Sequence, residues 1–216
     1  MGGYRLADGG MSQYYEIHPD NPQPRLIHHA VAIIRDGGIA VLPTDSSYAI
    51  VCHLDDKGAV ERIRRIRQLD KKHNLTLLCR DLSEIASYAR VGNAAYRLLK
   101  AHTPGPYTFL LRATAEVPRR LQHPKRKTIG IRVPDNAICQ ELLMLHGQPL
   151  MSSTLMLPGS EFPETDADAI REQLERQVDL IVDGGHCGIE PTTVVDLSDT
   201  APRVIRYGLG ATEGLE

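Results

Sequence analysis

Apolar residues along this chain are bundled in short blocks, each too brief for a helix and most of them bordered on at least one side by Gly, Pro, Asp or Ser. Residues 39–42, 48–52, 75–79, 107–112, 128–133 and 150–154 are of this kind, and 180–182, 193–197 and 204–206 add shorter ones. Blocks of this length read as β-strands, buried on both faces where the run is continuous. Amphipathic stretches lie between them. Residues 26–36 stop at Gly37-Gly38. In 59–68, Ala59, Val60, Ile63 and Ile66 share one face at about 100° per residue. Residues 83–88 and 93–101 also read as helical. Another helix is capped by Asp135 or Asn136, runs to His146 and stops at Gly147; a last one follows a capping-box variant at 165–168 and runs through Gln177. About nine strands thus mix with five or six helices, and several strands follow one another directly. A strict β-α-β-α alternation is excluded. The expected fold is α/β in composition with α+β-like mixed order: a twisted mixed sheet with flanking helices.

At 216 residues the chain is one large domain or two small ones, and no low-complexity linker or internal repeat divides it. The expectation is a disordered N-terminal extension over residues 1–13, Gly-rich and unpatterned, then a single domain over 14–216. Residues 14–25, with Pro19, Pro22 and Pro24, read as an extended entry into that domain. Trp is absent and Phe occurs twice, so the core must be aliphatic. No run of 18 uncharged apolar residues and no apolar leader is present, which predicts a cytoplasmic protein without a membrane partner. Cys52, Cys79, Cys139 and Cys187 form no C-x-x-C pair and read as buried free thiols. The nine His are scattered, so no metal site is expected from spacing.

Net charge is only −2, which excludes a strongly basic nucleic-acid protein at the level of the whole chain. Locally the balance is uneven. Residues 60–80 carry seven basic and two acidic side chains, 119–132 carry six basic and no acidic, and 161–183 carry eight acidic and two basic. A solvated face is the ordinary reading of such runs. Two basic segments with almost no compensating acid point modestly towards an anionic ligand.

Five motifs carry chemistry. A buried strand runs into Pro43-Thr44-Asp45-Ser46-Ser47-Tyr48. Pro104-Gly105-Pro106-Tyr107-Thr108 is a stiff turn leading into a strand. Ile129-Gly130-Ile131-Arg132-Val133-Pro134 places one Arg on an apolar strand, where its charge must be paired or must reach a cavity. Pro149-Leu150-Met151-Ser152-Ser153-Thr154 and Pro191-Thr192-Thr193-Val194-Val195-Asp196 complete the set. Asp45, Asp183 and Asp196 could bind magnesium beside a nucleotide, but turn and strand-end capping is preferred. No G-x-x-x-x-G-K-[ST], G-x-G-x-x-G or G-x-S-x-G motif is present.

In this order and spacing, from about Leu26 to Gly208, the motifs resemble the YrdC-like family, whose members include synthases of threonylcarbamoyl-adenylate from L-threonine, bicarbonate and ATP for tRNA modification. The stretches 125–130 and 155–162 are similar to its YciO branch. The resemblance implies a sheet curved around a basic concave cavity. It implies that Thr44, Arg132 and Thr192 bind threonine, that Arg67, Thr154 and Arg206 hold ATP, and that Arg67 and Thr154 take part in catalysis. ATP with Mg2+ would be the substrate complex, with no tightly bound cofactor. Two positions depart from the family pattern. The synthases' Lys-x-Arg falls on Arg67 and Leu69, and their Ser-x-Asn falls on Thr154 and Met156, so one cation and one amide are lost. The family Lys that follows falls on His73, just after Lys71 and Lys72. The resemblance therefore implies a threonylcarbamoyl-adenylate synthase-like nucleotide-binding protein with weak or altered activity. The alternative is a double-stranded RNA- or tRNA-binding protein without synthase activity, using Arg62, Arg64, Arg65, Arg119, Arg120, Lys125, Arg126 and Lys127.

Overall fold

In the computed structural model, which describes residues 10–215, the apolar blocks become strands of one sheet. In chain order the strands are β1 (Gln13–Glu16), β2 (Ala40–Leu42), β3 (Ala49–His53), β4 (Thr76–Leu78), β5 (Tyr107–Arg112), β6 (Thr128–Arg132), β7 (Leu150–Thr154), β8 (Leu180–Asp183), β9 (Thr193–Asp196) and β10 (Arg203–Arg206). The helices are α1 (Pro24–Arg35), α2 (Lys57–Arg67), α3 (Leu82–Tyr88), α4 (Asn93–His102), α5 (Ala137–His146) and α6 (Ala167–Leu174). The strand order is β1-β8-β2-β3-β7-β4-β6-β5-β9-β10. Four neighbouring pairs are parallel (β1/β8, β8/β2, β4/β6, β5/β9) and the other five antiparallel, so the sheet is mixed as the strand succession predicted.

Alternation along each strand sends side chains to two cores. On the first face Val41, Ile50, Leu77, Phe109, Ile131, Met151 and Val195 pack with residues of α2, α3, α4 and α6. On the second face Ala40, Leu42, Ala49, Val51, Leu78, Leu150, Leu180 and Val182 pack with α1 and α5. These two helices cover the β8-β2-β3-β7 part and Leu78 at the end of β4. Further along the sheet the register puts Thr76, Gly130, Arg132, Ser152, Thr154 and Thr108 on that second face, a polar floor under no helix of that core. The alternation that builds two cores in one half builds one core and one polar surface in the other.

The floor is concave. An Arg132 amino group on β6 bonds the hydroxyl of Thr44, just beyond the end of β2. In strand order β6 lies four places from β2, roughly 19 Å if the sheet were flat. A sheet curled over its second face, with the turn after β2 leaning the same way, brings the two into hydrogen-bond contact. Gly130 helps to keep the floor tight. A Cβ there would stand 2.7 Å from Thr76 Oγ1 and 3.1 Å from the Leu75 carbonyl oxygen.

Several boundaries differ from expectation. β1 is a tenth strand at the sheet edge; its sequence Gln-Tyr-Tyr-Glu is half-exposed and gives no apolar alternation to read. Its pairing begins inside the stretch expected to be disordered: Ser12 N–H donates to Glu175 O and Gln13 N–H to Asp179 O. Residues 1–9 of that expected extension lie outside the described residues. α1 starts at Pro24, because proline's fixed φ suits the first helical turn. α5 is capped by Asn136, whose side chain accepts from Cys139 N–H at 3.0 Å, and ends on Gly147 at φ 79°. α6 is capped by Asp166 rather than Thr165, and it ends at Leu174, three residues short of Gln177.

Candidate functional site

Arg132 stands at the end of β6 with 6 % of its surface exposed. One amino group donates to Thr44 Oγ1 at 3.0 Å and Ser46 Oγ at 2.9 Å, and it forms an ion pair with Asp45. The turn that presents these oxygens is itself fixed. Thr44 Oγ1 donates to the Ser47 carbonyl at 2.6 Å, and the other Asp45 oxygen accepts from Asp135 N–H at 3.0 Å. Gly184 lies so close that a Cβ would stand 2.6 Å from Pro43. Arg132 Nε is buried and has no partner among the described residues. A buried guanidinium with an idle N–H retains donor capacity for an oxyanion.

The edge strand β10 brings a second cation. Arg206 donates from Nε and an amino group to the Thr192 carbonyl at 3.1 and 2.9 Å, and to Thr192 Oγ1 at 3.0 Å. Thr192 Oγ1 also lies 2.8 Å from Thr108 Oγ1, which ties the hydroxyl to β5. Gly208 permits this return of the chain, since a Cβ would sit 2.2 Å from the Pro191 carbonyl oxygen. Arg206 is exposed as a residue, yet its head lies against Thr192; burial and then the charge of Arg132 lower its pKa.

Arg67 comes from α2. Asp56 caps the start of that helix, and Gln68 at φ 51° ends it, just after a basic last turn of Arg64, Arg65 and Arg67. Arg67 is buried and leans on the end of β7: Nε donates to Ser153 Oγ at 3.3 Å, and an amino group donates to the Met156 carbonyl. Burial lowers its pKa. Thr154, half-buried beside Ser153, belongs to the floor. His73 links this end to the other, for Arg64, Arg67 and Arg206 are all close enough to depress its protonation. Arg132 acts on Arg206 in the same way. Arg67, His73, Arg206 and Arg132 are in this way linked by charge, although Ser153, the partner of Arg67, projects with Ile50 to the first face. Neither Arg67 nor Arg206 meets a carboxylate among the described residues; their partners there are hydroxyls and carbonyls.

Leu69 packs its side chain against the first-face core, and its N–H closes α2 on the Arg64 carbonyl at 3.0 Å. No cation is available there. The eight basic residues expected at an RNA surface are not gathered at the hollow. Arg62 pairs with Asp179 at 2.8 Å. Arg64 donates to the Asp70 and Arg120 carbonyls, and Arg120 to the Leu54 carbonyl. These residues sit with α2 on the first face, whereas Arg126 pairs with Asp196, whose strand position faces the second. Arg65, Arg119, Lys125 and Lys127 are exposed.

Sequence reasoning missed Asp45 as the partner of Arg132, as well as Ser46, Ser153 and Thr108. For Thr108 a signal existed in the Pro-Gly-Pro-Tyr-Thr turn. For Ser153 none did, because its role depends on a helix end distant in the chain. The other two aspartates do cap and brace: Asp183 accepts from Tyr14 OH and Gly185 N–H, both at 2.9 Å, and Asp196 from Ser198 N–H at 3.0 Å. All four Cys are free and buried. No helix among the described residues is long and apolar enough to cross a membrane. A separate depression of about 650 Å³ beside α3 is lined by Arg80, Ser83, Glu84 and Tyr88. Of its acids, Glu84 accepts from Arg80 N–H at 2.8 Å.

Comparison with known proteins places this arrangement. The protein YciO of Escherichia coli (strain K12) is 60% identical over 200 residues, 93% of this chain and 97% of that protein. Its crystal structure superposes with a TM-score of 0.93 at 58% identity, covering 95% of this chain and all of the other. A threonylcarbamoyl-AMP synthase of Vibrio vulnificus (strain YJ016) is 27% identical over 161 residues, 73% of this chain and 86% of the relative. Sua5 of P. abyssi, solved in complex with L-threonine, has the same fold: TM-score 0.84 at 24% identity, over 91% of this chain and 58% of that one. The Sua5/YciO/YrdC family model, described as telomere recombination, matches residues 32–208. With most of its length under that model and its strands in the same arrangement, the chain belongs to the Sua5/YciO/YrdC family.

Proposed function

We propose that the hollow binds an adenine nucleotide and L-threonine, and that the protein is a threonylcarbamoyl-adenylate synthase-like enzyme of weak or altered activity linked to tRNA modification. The observation that carries this reading is the pair of guanidiniums at the polar floor, Arg132 with an idle Nε and Arg206 against neutral oxygens only, with Arg67 likewise held by neutral oxygens at the end of β7. Cations held without counter-charge suit a polyanion. The named synthase relative and the L-threonine complex of Sua5 support the choice of substrates.

At the threonine end, Arg132 Nε is the free donor for a carboxylate, beside the hydroxyl of Thr44, and Thr192 offers a further hydroxyl at Arg206. The threonine amine and bicarbonate condense to a carbamate with loss of water. A carbamate oxygen then attacks the α-phosphorus of ATP, and pyrophosphate leaves. Negative charge grows on phosphorus and on the leaving oxygens, where Arg67 and Arg206 supply fixed positive charge. Among the described residues no three His, Cys, Asp or Glu side chains cluster as metal ligands, and Asp45, the carboxylate at Arg132, is already engaged. That donor set suits a magnesium ion carried in by the nucleotide phosphates, which it would help to neutralise.

Leu69 and Met156 set the level. A missing guanidinium and a missing amide each remove a donor from the transition state, together on the order of 10²-fold or more in rate. The structure-based support for RNA binding is weaker, because Arg62 and Arg126 are spent on Asp179 and Asp196.

The test is pyrophosphate release by the purified protein with ATP, magnesium, threonine and bicarbonate, alongside calorimetric titration with ATP and threonine, separately and together. Heat of nucleotide binding, and release that requires threonine and bicarbonate together, are expected. No nucleotide heat and no release above a threonine-free control would overturn the proposal.

A further inference from the structure

Helix α3 carries a polar stripe that the chemistry of the hollow does not use. Ser83 and Glu84 lie one turn before Ser87 and Tyr88, so the four share one face of the helix. That face lines the depression of about 650 Å³, which is within the range of small-molecule sites. α3 packs through Ile85 on the first face of the sheet, so the depression lies apart from the polar floor. Glu84 is one of its walls although only 8 % exposed. One carboxylate oxygen accepts from Arg80 N–H at 2.8 Å, and the other has no hydrogen bond among the described residues. Burial pushes this carboxyl above its ordinary value, and the Arg80 N–H and charge bring it only part of the way back. A second carboxylate stands at the Tyr88 end. Glu116 follows Thr114, which bonds the Ser87 and Tyr88 carbonyls; Glu116 is exposed and has no ion pair among the described residues. Arg80 is the one cation in the lining, and Asp81 engages its Nε at 3.0 Å. At the other end, Gly147 caps the C-terminus of α5, where the carbonyl dipoles of a ten-residue helix favour positive charge. With Arg80 offset by Asp81, the two glutamates leave the walls negative.

We propose that this depression binds a linear aliphatic polyamine, with one ammonium on the free oxygen of Glu84, a second towards Glu116, and the methylenes between them laid along Tyr88. A buried carboxylate oxygen without a donor is costly, and an ammonium both neutralises it and bonds it. The Tyr88 ring offers a face to a cation and an apolar body to methylenes. Ser83 and Ser87 add hydroxyl acceptors along the same line. The stretch from Ser83 to Tyr88 rises roughly 8 Å along the helix, which suits an elongated ligand better than a spherical ion. A metal ion fits poorly for a further reason: among the described residues no three His, Cys, Asp or Glu side chains cluster as ligands. The site owes nothing to the nucleotide reading of the hollow and stands or falls without it.

The experiment is calorimetric titration of the full chain with spermidine in about 0.15 M KCl, where diffuse attraction between exposed charges is screened. The proteins are the wild type, Glu84→Gln, Glu116→Gln, and Glu172→Gln as a control on the exposed face of α6. The wild type should show one saturable site. Glu84→Gln keeps an acceptor for the Arg80 N–H and should bind about tenfold more weakly. Glu116→Gln, exposed and safe for folding, should bind about threefold more weakly. Glu172→Gln should match the wild type. The Tyr88 ring resonances, identified by their loss in Tyr88→Leu, should shift on adding spermidine. Absence of saturable binding, or equal weakening in Glu172→Gln and the two site variants, overturns the proposal. So does an unmoved Tyr88 ring. Magnesium chloride that displaces spermidine at equal concentration would mark a plain cation site and overturn the polyamine assignment.

Discussion

His146 shows how a single buried ring can set the acid limit of the protein. It lies in the last turn of α5 with 5 % of its surface exposed, and its Nε2 is 3.1 Å from His53 Nδ1 of β3. Its own Nδ1 has no partner. With the shared proton on Nε2, Nδ1 is a bare acceptor, which is cheaper to bury than an orphan N–H. A second proton would have to sit on Nδ1 with nothing to receive it. Burial, then the charges of His53 and Arg35, push its pKa down to about 4 from the ordinary 6.5. The unfolded chain therefore binds the proton more tightly than the folded one. The contribution is fully present above pH 6.5 and is lost as pH falls towards 4, about 3 kcal/mol in all. Urea unfolding should show this slope, and His146→Gln, which keeps a donor but cannot titrate, should flatten it. An unchanged slope in the variant would contradict the assignment. Residues of this sort were hard to foresee. Arg132 could be singled out because a charge on an apolar strand demands a reason; His146 and Asp45 look ordinary until the fold supplies their partners.

Helix α2 is the element that delivers Arg67, and its ends explain how. Asp56 Oδ1 accepts from Ala59 N–H at 2.8 Å, satisfying one of the open donors of the first turn. The cationic last turn suits the negative end of the helix. Asp56→Ala should lower stability by about 1 kcal/mol, read as a lower urea midpoint at unchanged slope, while Asp56→Asn should keep most of it. Equal stability of Asp56→Ala and wild type would refute the cap. α2 was legible from its periodicity, and α5 from its cap and glycine stop. β1 was not, because an edge strand with tyrosines between glutamine and glutamate carries no burial pattern, and its pairing with β8 joins residues far apart in the chain. The floor was half-legible: Ser152, Thr154 and Arg132 interrupt apolar strands at alternate positions, yet only the register shows that they share one face.

At the scale of the whole molecule, the curl of the sheet creates the hollow, and the Arg132–Asp45 contact spans it. Strand twist alone bends a sheet, but here a strand and a turn separated by three intervening strands are joined by an ion pair. Both side chains are nearly closed to solvent, at 7% and 10% exposure. A pair so placed is expensive to break from one side, because the survivor stays buried without its counter-charge. Arg132→Met should therefore destabilise the fold by about 3 kcal/mol, leaving Asp45 with the Asp135 N–H as its remaining donor among the described residues. Adding Asp45→Asn should restore a good part of that loss, since a neutral amide is cheaper to bury than an orphaned carboxylate. The double variant should nonetheless lose threonine binding, because no guanidinium remains for the carboxylate. Denaturant unfolding of the two single variants and the double variant forms a cycle that isolates the coupling. A coupling near zero would mean that the curl is held by strand twist and the two cores, with the ion pair merely resting across it.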